Sequence, residues 1–201
     1  MTGLYLYDRA GEDPIPESAA ARLPSWRRER YDRLRRPEAR QEALIAGLLY
    51  RCAMGRRGLE PDAEVRLLPA GKPVREDGFF SLSHSGRYVL CAVSDGPVGA
   101  DVQERRSVRD GLSRFFHPAE QARLASRPEE LFRVWTRKEA WVKAVSAERT
   151  LSLAEADVLD TVPGLSFRDY ELPGGYAAAL CGADPDLPDP TPVTRAELMK
   201  P

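Results

Sequence analysis

Apolar positions Leu44, Leu48 and Leu49, one helical turn apart, predict the buried face of a helix over Pro37 to Met54 with Pro37 in its first turn and Gly55 and Gly58 at its end. Gly3 to Tyr7 predicts a short strand, and Pro14 to Pro24 a loop broken by three prolines that leads into a helical region. Phe79 to Val93 predicts two strands around a Gly86 turn, because Tyr88, Val89, Leu90, Ala92 and Val93 form a compact apolar run that Asp95, Gly96 and Pro97 end. Val98 to Val102 gives another short strand, and Ser113 to Ser126 and Glu129 to Ala147 give helices separated by Pro128. Val158 to Leu172 and Tyr176 to Cys181 predict strands, and the tail with Pro185, Pro188, Pro190 and Pro192 is expected to lie extended on the surface.

The Tyr88 to Asp95 and Tyr176 to Asp184 segments both carry Leu-Cys, ninety positions apart, each after a helix-rich stretch. The pattern fits two α/β halves, an N-terminal one over residues 1–98 and a C-terminal one over 99–201 with an extended tail over 182–201.

Composition narrows the class. At 201 residues, with 42% hydrophobic and 30% charged residues and Lys+Arg 30 against Asp+Glu 31, the chain fits a soluble globular protein with no global pull toward nucleic acid. No apolar run is long enough to span a membrane, and Met1 to Arg9 lacks a signal-peptide pattern, so a cytoplasmic protein is expected. Cys52, Cys91 and Cys181 are odd in number and set among apolar residues, which suits buried reduced thiols. Charge is concentrated locally: Arg22 to Arg40 holds eight arginines against Glu29, Asp32 and Glu38, an excess of five.

On a helical wheel, Leu131, Val134, Trp135, Val142 and Val145 form an apolar stripe with Lys138 in its middle, where a charge needs a partner. Glu139 and Lys143, four apart, stack on one flank. A site and a surface Glu–Lys pair beside a snorkelling lysine fit that spacing alike. Asp101 ends a short apolar run after Gly99 and Ala100, small residues that permit close approach of another segment; it suits a hard cation or a turn cap. Ser81, Ser83, His84 and Ser85 put hydroxyls and an imidazole at a strand end, suited to a phosphate or to a polar turn. His117, between Phe116 and Pro118, reads as a helix N-terminal residue rather than a ligand. Gly-x-Ser-x-Gly, His-Glu-x-x-His, Gly-Lys-Ser/Thr loops and Gly-x-Gly-x-x-Gly are all absent, which removes several large enzyme classes.

In order, Gly71-Lys72-Pro73, Phe80-Ser81-Leu82-Ser83-His84-Ser85-Gly86, Val98-Gly99-Ala100-Asp101-Val102-Gln103 and Trp135-Thr136-Arg137-Lys138-Glu139-Ala140-Trp141-Val142-Lys143-Ala144 resemble the motifs of the Sfp-like 4'-phosphopantetheinyl transferases. Phe115-Phe116 with Glu120 matches the stretch between the two acidic motifs, and the resemblance runs from about Arg27 to the C-terminus. It implies an α/β (α+β) fold of two pseudo-symmetric halves with coenzyme A between them. It also implies a cytoplasmic monomer that moves phosphopantetheine onto a serine of an apo acyl or peptidyl carrier protein, with adenosine 3',5'-bisphosphate as the other product. By the same resemblance Asp101 and Glu139, with Gln103, hold Mg²⁺, Glu139 takes the serine proton, and Lys143 binds phosphate. Lys72, Ser83, His84, Arg27, Arg30 and Lys138 grip the nucleotide and its phosphates.

Two departures stand out: Gln103 replaces a second acidic residue found in many relatives, and Ala43 replaces a hydroxyl residue found in some. Glu104 is adjacent but alternates to the opposite side of an extended chain. Two other readings remain: a scaffold that binds carrier proteins without catalysis, for which Gln103 argues, and a nucleic-acid module built on Arg22 to Arg40. The second leaves Lys138, Glu139 and Asp101 unexplained. The carrier served is not encoded in these motifs; neither membrane nor nucleic acid is expected as a partner.

Overall fold

The computed structural model describes residues 1–68, 72–105, 112–145 and 152–200. Strand β1 (Gly3–Asp8) leads through a 3₁₀ turn at Glu17–Arg22 into α1 (Ser25–Arg33) and the long α2 (Pro37–Arg56). A small hairpin, β2 (Arg66–Leu67) and β3 (Pro73–Val74), precedes β4 (Phe79–Ser85), β5 (Tyr88–Ser94) and β6 (Val98–Glu104). Then follow α3 (Pro118–Ser126), α4 (Leu131–Val145), β7 (Ser166–Leu172), β8 (Tyr176–Gly182), β9 (Thr191–Pro192) and α5 (Arg195–Leu198). The fold is mixed α and β. Gly71 and the expected helix end at Ala147 lie outside the described residues.

Besides the hairpin, the strands form a four-stranded sheet in the order β4-β5-β1-β9 and a three-stranded one in the order β6-β8-β7. Alternation along the central strands explains the layering. In β5, Val89, Cys91 and Val93 pack with Leu44, Leu48 and Leu49 of α2, while Leu90 and Ala92 face Ala100, Val102, Ala178 and Leu180 of the other sheet. In β8, Ala179 and Cys181 turn the other way, toward Val134, Trp141 and Ala144 of α4. The order is therefore helix, sheet, sheet, helix, and both Leu-Cys strands are buried on two faces, which is why they read as continuous apolar runs.

Three sequence expectations need correction. The helix expected from Ser113 begins at Pro118, because His117 forms a capping box with Glu120 and starts the helix there. The strand expected from Val158 is confined to Ser166–Leu172; Val158 is buried among loop residues, and Gly164, at φ 75°, turns the chain before the strand. The tail is not merely laid on the surface: β9 pairs in parallel with β1, and Leu187, Val193 and Leu198 are buried. Four prolines leave such a segment too few N–H donors for a long strand, but not for two residues of pairing.

Candidate active site

Strand β6 and helix α4 carry the chemistry, and Gly99 sets their distance. A Cβ there would lie 1.9 Å from the Ala140 carbonyl oxygen, so only glycine lets the strand press onto the helix. Two residues on, the same alternation turns Asp101 toward Glu139 and Lys143 of α4.

Asp101 is 2% exposed, and Lys143 Nζ lies 2.6 Å from its Oδ1. The same ammonium donates to the Ala100 carbonyl and Ser83 Oγ, each at 3.2 Å. Gln103 Nε2 donates to Asp101 Oδ2 at 3.0 Å, so its amide nitrogen is used on the aspartate. Glu139 is half-buried; burial first, and the negative charge of Asp101 second, push its carboxyl above the usual range, while Lys143 pulls it part of the way back. Two carboxylates crowded this way against one ammonium form a donor set that suits a hard divalent cation. Among the described residues no group of three His, Cys, Asp or Glu could hold a metal, so further oxygens must come from Gln103 or from a bound ligand.

A cationic cluster adjoins this centre. His84, one residue after Ser83, alternates to the α2 side of β4, where its Nδ1 lies 3.4 Å from Glu42 Oε2. Burial pushes the imidazole down; Glu42 opposes this, and Arg27, Arg30 and Lys143 reinforce it. Arg27 is 7% exposed and donates Nη2 to the Ala43 carbonyl at 3.3 Å, while its buried Nε has no hydrogen-bond partner. Burial lowers this guanidinium to about 10, with Arg30 adding to the effect. Arg30 itself is exposed. Cations gathered this closely, one with an unused N–H, match an anionic group.

Lys72 donates to the carbonyls of Lys143 and Ala144 in the last turn of α4, and burial lowers its ammonium to about 8. With Pro73, Phe79, Phe80 and Val98 it lines a cavity of about 200 Å³.

Lys138 stands apart from the other expected nucleotide ligands. Neither it nor Glu120 is exposed at all; its Nζ lies 2.7 Å from Glu120 Oε2 and donates to the carbonyls of Leu153, at 2.6 Å, and Ala156. Glu120 in turn accepts from the amides of His117 and Val158, both at 2.8 Å. Every polar hydrogen of this ammonium thus has a protein partner, leaving none for a nucleotide. The buried stripe of α4 runs through Val134, Lys138, Trp141 and Ala144 rather than Trp135 and Val142.

Glu42, the partner of His84, and the Glu120 pairing escaped sequence reasoning. Glu42 lies on an otherwise helical-amphipathic stretch with no distinguishing signal, whereas the His-Pro-x-Glu run at 117–120 carries a capping-box signature that locates Glu120.

Similarity to known proteins agrees with this geometry. Residues 97–181, from β6 to β8, match the model of the 4'-phosphopantetheinyl transferase superfamily. The chain is 35% identical over 196 residues to the 4'-phosphopantetheinyl transferase HetI of Nostoc sp., covering 83% of this chain and 81% of that protein. It is 26% identical to the 4'-phosphopantetheinyl transferase Sfp of Bacillus subtilis over 98% of both chains, and 34% identical to AcpT of Salmonella typhimurium over 70% of this chain and 78% of that one.

Proposed function

The chain belongs to the 4'-phosphopantetheinyl transferase superfamily, and we propose that it uses the Asp101–Glu139–Lys143 centre to move phosphopantetheine from coenzyme A to a serine of an apo acyl or peptidyl carrier protein. The serine hydroxyl attacks the pantetheine-bearing phosphorus, the bond to the bridging pyrophosphate oxygen breaks, and adenosine 3',5'-bisphosphate leaves. The observation that carries this reading is the joining of Asp101, Glu139 and Lys143 beside the Arg27–Arg30–His84 cluster.

Each group then has a task. Glu139 accepts the serine proton, and its raised proton affinity brings it closer to the working pH of a general base. Lys143 neutralises the phosphate under attack. Arg27, Arg30 and His84 take the 3'-phosphate, and the cavity beside Lys72 takes the adenine against Pro73, Phe79 and Phe80. Asp101, Glu139 and the Gln103 carbonyl are the residues to hold Mg²⁺, which when bound supplies positive charge to the pyrophosphate.

We further infer that residues 1–98 and 99–201 act as two halves meeting at this centre, and that the enzyme works as a cytoplasmic monomer. The three cysteines are free thiols, as suits a reducing compartment, and among the described residues no helix is long and apolar enough to cross a membrane. The test is incubation with coenzyme A, Mg²⁺ and a panel of apo-carriers, followed by mass spectrometry. A mass gain of one phosphopantetheinyl group on at least one carrier is expected. Carrier binding without any mass gain would establish the scaffold reading instead.

A further inference from the structure

The nucleotide end of the site holds one carboxylate among its cations. His84 pairs across the sheet with Val89, whose side chain packs on α2, so the imidazole faces that helix too, and Glu42 meets it there with Nδ1 and Oε2 3.4 Å apart. At the next position of α2, Ala43 gives its carbonyl to Arg27 Nη2 at 3.3 Å. The side chains of His84 and Glu42 are 36% and 27% exposed, so a ligand can reach both.

A carboxylate beside a phosphate site weakens binding by repulsion unless it serves one of the cations. Guanidiniums need no such help, since they stay charged at neutral pH. Among the described residues the ion-pair partner of Glu42 is His84, not Arg27 or Arg30, and Arg27 Nε keeps no hydrogen-bond partner. Glu42 is thus directed at the one member of the cluster that can be neutral. An imidazole whose single proton sits on Nδ1 presents a lone pair at Nε2, which repels a phosphate oxygen, whereas an imidazolium donates from both nitrogens. Arg27 and Arg30 of α1 and Lys143 of α4 oppose the second proton, and Glu42 of α2 favours it.

We propose that Glu42 is a positioning residue for the 3'-phosphate: it holds His84 by Nδ1 and balances the proton that Nε2 takes from the buffer as the phosphate arrives, so that two guanidiniums and an imidazolium meet the group. This rests on the Arg27–Arg30–His84 cluster being the 3'-phosphate site. Coenzyme A then binds with uptake of a proton that 3'-dephospho-coenzyme A does not require.

The experiment titrates both nucleotides calorimetrically into the full chain at neutral pH, with Mg²⁺ and without carrier, for wild type, Glu42→Gln, His84→Asn and the double variant. Two buffers of different ionisation enthalpy give the protons taken up, and the ratio of the two Kd values measures what the 3'-phosphate contributes. Subtracting the dephospho form removes the contribution of the pyrophosphate end. Wild type takes up more protons with coenzyme A than with the dephospho form. Glu42→Gln, whose amide still reaches Nδ1 but brings no charge, loses most of that difference and narrows the Kd ratio roughly fivefold or more. In the His84→Asn background the same change narrows it no further. A ratio that widens in Glu42→Gln would make Glu42 only a repulsive neighbour, and a ratio that narrows equally with and without His84 would mean that it acts by another route; either overturns the proposal, as do an unchanged ratio and unchanged proton uptake. Should His84→Asn not fold, the ratio and uptake of Glu42→Gln decide alone. Failure of the parent reading shows separately, as equal Kd values for the two nucleotides in the wild type.

Discussion

Helix α4 carries two lysine–carboxylate pairs five residues apart, Lys138–Glu120 at 2.7 Å and Lys143–Asp101 at 2.6 Å, with opposite surroundings. In the first, both side chains are 0% exposed, and the remaining bonding capacity is taken up by loop carbonyls and amides. In the second, the ammonium is 28% exposed, and a second carboxylate, Glu139, crowds the pair. Neither distance nor the number of bonds separates a structural ion pair from a reactive one, since Lys143 also has three acceptors in Asp101, Ser83 and Ala100; solvent access and unbalanced charge do. A pair sealed from water is a fastening, and one open to solvent with like charges left to balance can still receive a ligand.

The sharpest way to break the comparison is to cut each pair at its lysine. Lys138→Met leaves the Glu120 carboxylate buried without its cation and is expected to cost about 3 to 5 kcal/mol, read by urea unfolding. Adding Glu120→Gln should recover part of that loss. Lys143→Met should cost only about 1 kcal/mol, because water reaches the site and Ser83 and Gln103 still bond Asp101, yet it should lower transfer far more than it lowers stability. Equal stability losses in the two variants would erase the distinction.

Glu139→Gln tests the unbalanced charge. Transfer should fall by roughly 10² to 10⁴, since an amide cannot accept the serine proton. Stability should move the other way. Folded Glu139 holds its proton more tightly than unfolded Glu139, so its favourable contribution is present below the unfolded pKa, about 4.3, and is lost as pH rises through the folded value. At neutral pH the wild type bears that cost and the glutamine variant does not. Thermal melting should therefore show Glu139→Gln more stable at neutral pH, with the difference shrinking toward pH 4.

The anion cluster offers a weaker contrast, because solvent already screens part of it. Coenzyme A lacking the 3'-phosphate forfeits charge-assisted contacts worth roughly 1.5 to 3 kcal/mol, so its KM should rise roughly ten- to hundredfold. The His84 imidazole, now pushed down by burial and held there against Glu42 by Arg27, Arg30 and Lys143, should gain proton affinity when the phosphate offsets those charges. Imidazole proton shifts followed by NMR, with coenzyme A and with its dephospho form, check both statements. Equal KM and equal shifts would remove these residues from the phosphate site.

The site's frame was legible in the sequence because each part of it is a local pattern. Gly99 and Ala100 announced a close approach, and the Glu139–Lys143 spacing placed both on one flank of a helix. Lys138, in the middle of an apolar stripe, announced the need for a partner but not its identity, since Glu120 lies eighteen residues away and meets it only through the fold. The serines at 81, 83 and 85 of β4, whose hydroxyls accept from the amides of Ala100, Val102 and Glu104 in β6, show the other failure. Their two-residue period was visible, but two strands nineteen positions apart have no main-chain pairing to signal that they adjoin. The tail misled for a physical reason too: proline density argues against long strands but says nothing of a two-residue pairing with β1.

Gln103 gives the finest test of the contrast, because it is a neutral side chain bonded to the open pair that one substitution turns into a carboxylate. Its Nε2 donates to Asp101 Oδ2 at 3.0 Å, a bond that leaves the amide carbonyl available for a cation or its water. Gln103→Glu replaces that donor with a second acceptor, so without a cation two carboxylates confront each other. Stability should then fall by about 1 kcal/mol, the size of one lost hydrogen bond. The added charge should also tighten Mg²⁺ binding by the free protein, whereas the wild type should bind Mg²⁺ weakly alone and more tightly with coenzyme A, since each ligand supplies charge the other needs and the coupling is reciprocal. The effect on rate is smaller, because tighter ground-state coordination does not of itself favour the transition state. Calorimetric titration of Mg²⁺ into both proteins, with and without coenzyme A, decides it: if the free wild type binds Mg²⁺ as tightly as Gln103→Glu does, Gln103 does not face the metal and the open pair ends at Asp101, Glu139 and Lys143.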